Sequence, residues 1–139
     1  MNRTEPVLVD ASVWVAASDP DDRSHSAAAE LAVAAGTPVA ALDLTLYEVA
    51  NVVGVREGRR THAAHLVRLI AERCAGNLLH AHFDLLDAAT GYAAEHGLSV
   101  YDAAYVAAAH SNGWQLVSLD LRDLVSKDLA VTPDAALYP

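Results

Sequence analysis

At 139 residues the chain has the length of one domain, expected to occupy 1–139, and is long enough to bury a real core. Hydrophobic residues make up 53% of it, which excludes a disordered segment, and no apolar run approaches the roughly 20 residues that span a bilayer. The net charge of −9, from 9 Lys and Arg against 18 Asp and Glu, taken by itself argues against nucleic acid, because phosphate binding wants a basic face, though the distribution of charge matters more than the sum.

Met1 to Pro6 lacks a positively charged start followed by an apolar core, so no signal peptide is expected. Cys74 is the only cysteine, which rules out an internal disulfide and points to a reducing, cytoplasmic compartment.

In chain order, Val7-Leu8-Val9 reads as a buried strand running into Asp10, with a helix from about Ser12 to Ser18. Asp19-Pro20-Asp21-Asp22 is a loop. Ser24 or Ser26 then caps a second helix that ends at Gly36. Pro38 to Leu42 is a second strand. Asp43 or Thr45 opens a third helix, with Leu46, Val49, Val52 and Val53 on one face, that stops near Gly58.

A fourth helix runs from Thr61 to Ala75 and a third strand from Leu78 to Phe83. Asp84 caps a fifth helix ending at Gly97, and a sixth follows from Asp102 to Ser111. Gln115 to Ser118 is a buried strand, and Leu129-Ala130-Val131 an edge strand. Strands alternating with helices predict an α/β fold whose central parallel sheet is covered on both faces.

Four acids each adjoin the C-terminal end of a strand or open the helix after it: Asp10, Glu48, Asp102 and Asp120. Singly each has a local explanation. Asp10 and Asp102 suit helix N-caps, Asp120 suits a turn, and Glu48 sits at capping-box spacing from Thr45. Together they fall on the sheet edge where open α/β folds bind ligands. Crowded carboxylates repel and take up protons unless a cation intervenes. An all-oxygen ligand set suits Mg²⁺, with Mn²⁺ able to substitute, rather than zinc.

The stretches Val7 to Ser12, Thr45 to Asn51, Leu98 to Ala107 and Leu116 to Asp120 resemble, in order and spacing, the signature blocks of the PIN domain. The chain's size makes it most similar to the VapC toxins of bacterial type II toxin–antitoxin pairs. That resemblance implies a three-layer α/β/α sandwich and a Mg²⁺-dependent endoribonuclease. It also implies an RNA substrate, a homodimer and restraint by a VapB-type antitoxin.

Carried over by position, Asp10, Glu48, Asp102 and Asp120 form the catalytic set, with Asp10, Asp102 and Asp120 on the metal. Ser12 and Ser118 supply hydroxyls beside it, and Asn51 orients Glu48. Asp123 stands near enough to Asp120 to replace it or join it.

Arg56, Arg59, Arg60, Arg68 and Arg73 give one stretch a local positive stripe. Arg59, Arg60 and Arg68 are the candidates to grip an RNA backbone, against the alternative of a solvated helix face. The pairs His62/His65 and His80/His82 lack the third and fourth ligands of a zinc site. Trp14 and Trp114 lie beside buried segments and read as core or dimer-interface residues, while Tyr101 and Tyr105 flank the acidic set and Tyr105 reads as packing. A phosphoaspartyl enzyme built on Asp10 fits poorly. Ser12 stands where a phosphatase needs a second Asp, and Lys127, the only lysine, follows no suitable strand. A PIN-like scaffold that binds RNA or protein without cutting is the non-enzymatic alternative.

Overall fold

Alternation along the strands sorts the core into two layers, one on each side of a parallel sheet. A computed structural model describes residues 4–34 and 36–139. The strands are β1 (Val7–Val9), β2 (Val39–Leu42), β3 (Leu78–Leu79) and β4 (Gln115–Val117). Successive strand residues point to opposite faces. Val7, Val9, Val39, Ala41 and Val117 therefore pack in one layer, while Leu8, Ala40, Leu42 and Leu116 pack in the other.

The first layer is covered by α1 (Ala11–Ala17), α2 (His25–Ala29), α3 (Asp43–Val49) and α4 (Arg60–Arg73), which contribute Val13, Trp14, Ala28, Val49, Leu66 and Ile70. The second is covered by α5 (Phe83–His96) and α6 (Val100–Asn112), whose alanine-rich contact lets the two helices lie close together. A short α7 (Pro133–Leu137) closes against α2. The result is the expected three-layer α/β/α sandwich. No helix among the described residues is long and apolar enough to cross a membrane.

The strand order is β3-β2-β1-β4, every pair parallel. The chain steps outward from β1 to β3, then crosses back to place β4 on the other flank of β1. This reversal makes β1/β4 the topological switch point, where connections diverge and leave a crevice at the C-terminal edge. Register pairs Val9 with Val117, and the Asp10 amide donates to the Val117 carbonyl at 3.2 Å. Asp10 and Ser118 therefore leave the sheet side by side.

Several local expectations are corrected. The third strand is two residues long, since His80, Ala81 and His82 turn outward to start α5. Leu129–Val131 forms a single bridge, Val131 to Val117, rather than a strand. Asp84 does not cap α5; the His82 ring Nδ1 accepts the Leu85 amide at 3.3 Å. Asp102 is not the N-cap of α6. Ser99 is, its Oγ accepting the Asp102 amide at 3.1 Å, which frees the Asp102 carboxylate from capping. Ser24 holds the N-cap position of α2 without a side-chain capping bond.

The second and third helices also widen into π-helical turns, at Glu30–Ala34 and Ala50–Arg56. The second helix ends between Ala34 and Gly36, with Ala35 outside the described residues. Glycines in the left-handed conformation close α5 and α6, Gly97 at φ 66° and Gly113 at φ 67°.

Candidate active site

The crevice at the switch point is an open cleft of about 440 Å³ whose polar lining is Asp10, Ser12, Asp22, Glu48, Asp102, Tyr105 and Asp120. Asp10 is 7% exposed. It serves as the N-cap of α1, its Oδ1 accepting the Val13 amide at 3.4 Å, so the capping role and a place in the cleft coexist. Ser12 Oγ donates to Asp10 Oδ1 at 2.5 Å, and Ser118 Oγ donates to Oδ2 at 2.5 Å. The same hydroxyl oxygens accept backbone amides, Ser12 from Leu119 at 3.0 Å and Ser118 from Asp120 at 2.9 Å. These bonds tie the end of β1 to the turn after β4. Burial pushes the Asp10 carboxyl up from 3.8 to about 6, against the pull of both serine hydroxyls.

Asp102 comes from the first turn of α6, Asp120 from the turn after β4, and Asp123 from the π-helical turn Leu121–Val125 that Asp120 caps. Asp120 Oδ1 accepts the Asp123 amide at 2.9 Å. One carboxylate oxygen from each of Asp102, Asp120 and Asp123 lies within 4.8 Å of the others. Burial first, then the charges of Asp120 and Asp123, raise the Asp102 carboxyl above its ordinary value, partly offset by a hydrogen bond from Ser99 and by Lys127.

Glu48 reaches the cleft from α3. It does not bond back to Thr45 as capping-box spacing suggests. Instead Tyr105 Oη donates to Glu48 Oε1 at 2.6 Å, while Thr45, wholly buried, spends its Oγ1 on the Leu42 amide at 3.1 Å. Burial raises the Glu48 carboxyl and Asp102 adds to the rise, opposed by the Tyr105 hydrogen bond.

The fold thus brings Asp10, Ser12, Glu48, Asp102, Ser118, Asp120 and Asp123 to one place. The tightest cluster contains Asp123 rather than Asp10. Asn51 lies exposed on the π-helical turn, and no hydrogen bond joins it to Glu48. Arg59, Arg60 and Arg68 are all exposed, the first two at the start of α4 and Arg68 in its middle. Neither histidine pair joins a ligand cluster among the described residues; His82 caps α5 and His80 Nδ1 sits 3.5 Å from Asp43 Oδ2. Trp14 is buried in the core.

From sequence, Asp22 is not part of the site, and Tyr105 is placed beside it with no hydrogen-bonding role. Asp22 comes from a loop with no periodic signal. Tyr105 looked like packing, yet it lies three residues after Asp102, one helical turn along the same face, and that spacing is a readable sign. The donor set consists of carboxylates and hydroxyls, which fits a hard divalent ion and not a thiolate- or imidazole-bound metal.

A parallel sandwich with carboxylates gathered at its switch point defines the class, and the sequence pattern of the PIN domain matches residues 7–128. The chain belongs to the PIN-domain family. Its kinship there is with VapC proteins: it is 39% identical over 132 residues to Ribonuclease VapC3 of Pyrobaculum aerophilum, covering 91% of this chain and 98% of that protein. The crystal structure of PAE2754 from Pyrobaculum aerophilum superposes with a TM-score of 0.70 at 27% identity, covering 95% of this chain and 86% of the other. A toxin–antitoxin complex from Klebsiella pneumoniae shares the fold, with a TM-score of 0.68 at 18% identity, covering 91% of this chain and 97% of that one.

Proposed function

We propose that this protein is a Mg²⁺-dependent endoribonuclease, the toxin of a bacterial type II toxin–antitoxin pair acting in the cytoplasm, with Mn²⁺ able to replace Mg²⁺. The observation that carries the reading is the convergence of Asp102, Asp120 and Asp123 beside Asp10 and Glu48 in one open cleft. Kinship with a ribonuclease over nearly the whole chain supports it.

Asp102 and Asp120, joined by Asp123 and backed by Asp10, would hold the metal, which when bound supplies a Lewis acid that neutralises phosphoryl charge and eases deprotonation of water. Ser12 and Ser118 fix the Asp10 carboxylate and so the relative position of the β1 and β4 ends. Glu48 stands outside the tight cluster, and its raised affinity for protons suits it to accept one from an attacking water. Hydrolysis of the phosphodiester bond leaves a 5′-phosphate on one product and a 3′-hydroxyl on the other. Arg59, Arg60 and Arg68 grip the RNA backbone through salt-sensitive contacts.

A VapB-type antitoxin restrains the enzyme by placing an Arg or Lys side chain among the carboxylates. The exposed apolar residues Tyr47, Leu86, Val100 and Tyr101 line a separate groove between α3, α5 and α6 and favour a protein partner, including a second copy in a homodimer.

The test is incubation of partner-free protein with total cellular RNA in Mg²⁺, Mn²⁺ and EDTA, beside Asp102→Asn. Discrete fragments that vanish in EDTA and in the variant are expected. Intact RNA in every arm would instead favour a binding scaffold.

A further inference from the structure

Tyr105 is 2% exposed, and its hydroxyl meets two side chains, Glu48 Oε1 at 2.6 Å and Thr45 Oγ1 at 2.8 Å. The direction of this chain of bonds is fixed from its carboxylate end, since the Glu48 carboxylate accepts only and so takes the tyrosine proton. The Leu42 backbone amide can only donate, so Thr45 Oγ1 accepts from it at 3.1 Å. With the tyrosine proton given to Glu48, the Thr45 hydroxyl is the donor in its bond to Tyr105 Oη. The wire begins at the last residue of β2, the sheet strand beside β1, so the most rigid part of the fold sets the position of the Glu48 carboxylate.

Glu48 needs such a hold. Its side chain has three rotatable bonds, it is only half-buried, and no other hydrogen bond reaches its carboxylate among the described residues. With Oε1 occupied by the phenol, Oε2 is the oxygen left to face the cleft. A phenylalanine ring would fill the same core space, so packing alone gives no reason for the hydroxyl.

We infer that Tyr105, backed by Thr45, is a positioning residue that locks the Glu48 carboxylate for the proton transfer of the nuclease reaction. This inference rests on the cleft being the metal-dependent nuclease site proposed above. It assigns Tyr105 to Glu48 and not to the aspartate cluster, although Asp102 lies one turn away on the same helix.

Tyr105→Phe, Glu48→Ala and the double variant separate these roles, read by RNA cleavage kinetics and by Mn²⁺ titration calorimetry. Tyr105→Phe is expected to lower kcat roughly 10- to 100-fold, the usual effect of removing a supporting hydrogen bond, with KM changed less than about threefold. Its Mn²⁺ affinity should stay within about threefold of the parent, because the Asp102 cluster is untouched. In the Glu48→Ala background the tyrosine substitution should cost nothing more, since a residue acting through another is silent once that other is gone.

Parental kcat in Tyr105→Phe would overturn the inference. Equal losses in both backgrounds would overturn it too, and so would a fall in Mn²⁺ affinity matching the fall in kcat; each would make the tyrosine a support for α6. If the parent neither cuts RNA nor binds Mn²⁺, the nuclease reading itself fails, and the tyrosine has no proton transfer to serve.

Discussion

Replacing Asp10 by Asn should make the metal-free protein more stable at neutral pH while abolishing cleavage. The fold holds the Asp10 carboxyl at about 6, above its ordinary 3.8, because burial disfavours the anion more than the two serine hydroxyls favour it. The native state therefore binds this proton more tightly than the unfolded chain does. The resulting penalty is fully present above pH 6, shrinks as pH falls from 6 towards 4, and is gone below that.

A rise from 3.8 to about 6 corresponds to about 3 kcal/mol of destabilisation at pH 7.5. Asparagine removes that charge but also costs a hydrogen bond. Its amide nitrogen donates where the carboxylate accepted, so one serine hydroxyl, at Ser12 or Ser118, loses its acceptor, at about 1–2 kcal/mol. The net gain expected at pH 7.5 is about 1–2 kcal/mol. Urea unfolding in EDTA at pH 7.5 and pH 5 measures it, and the advantage should shrink or reverse at the lower pH. A variant less stable than the parent at pH 7.5, or a difference the same at both pH values, would refute this account of Asp10.

Mn²⁺ affinity should fall as pH drops through about 6, since the Asp10 carboxyl takes up its proton there in competition with the metal, and the raised Asp102 carboxyl adds to the fall at lower pH; calorimetry at pH 7.5 and pH 5.5 reads this directly. Ser118→Ala strips Asp10 Oδ2 and the Asp120 amide of a shared partner, so stability should fall by about 1–3 kcal/mol and cleavage should drop with it. Leu8→Ala opens a hole in the wholly buried centre of β1, with an expected loss of about 2–5 kcal/mol in chemical unfolding. Gly113→Ala forces a side chain into the left-handed turn at φ 67° and should cost about 1–2 kcal/mol, with cleavage kinetics unchanged at temperatures where the variant is folded.

What the sequence made legible was mostly local. Val7-Leu8-Val9 and Gln115 to Ser118 announce buried strands by their apolar runs, and Gly97 and Gly113 mark helix ends because a left-handed turn favours glycine. The place of Asp10, Glu48, Asp102 and Asp120 on one edge followed from parallel topology, which needs no side-chain detail. The misses arise where several residues compete for one role. Asp84 suits a cap of α5 by residue type, and only the backbone path decides that His82, two residues earlier, takes the role. Thr45 and Glu48 have capping-box spacing, yet the tyrosine 57 positions further on claims the glutamate. A bond across that separation leaves no periodic trace in one sequence. The short third strand and the lone Val131 bridge have a similar cause: apolar residues at a sheet margin pair only as far as neighbouring turns allow.

The central claim is that the carboxylates of the cleft are gathered to hold a divalent ion. Titration of Mn²⁺ into metal-free protein at pH 7.5, beside Asp102→Asn, tests it most directly. Saturable binding that weakens at least about tenfold in the variant is the result this account predicts. Absence of binding to the parent, or equal binding by parent and variant, would contradict it and return Asp10, Asp102 and Asp120 to purely local roles.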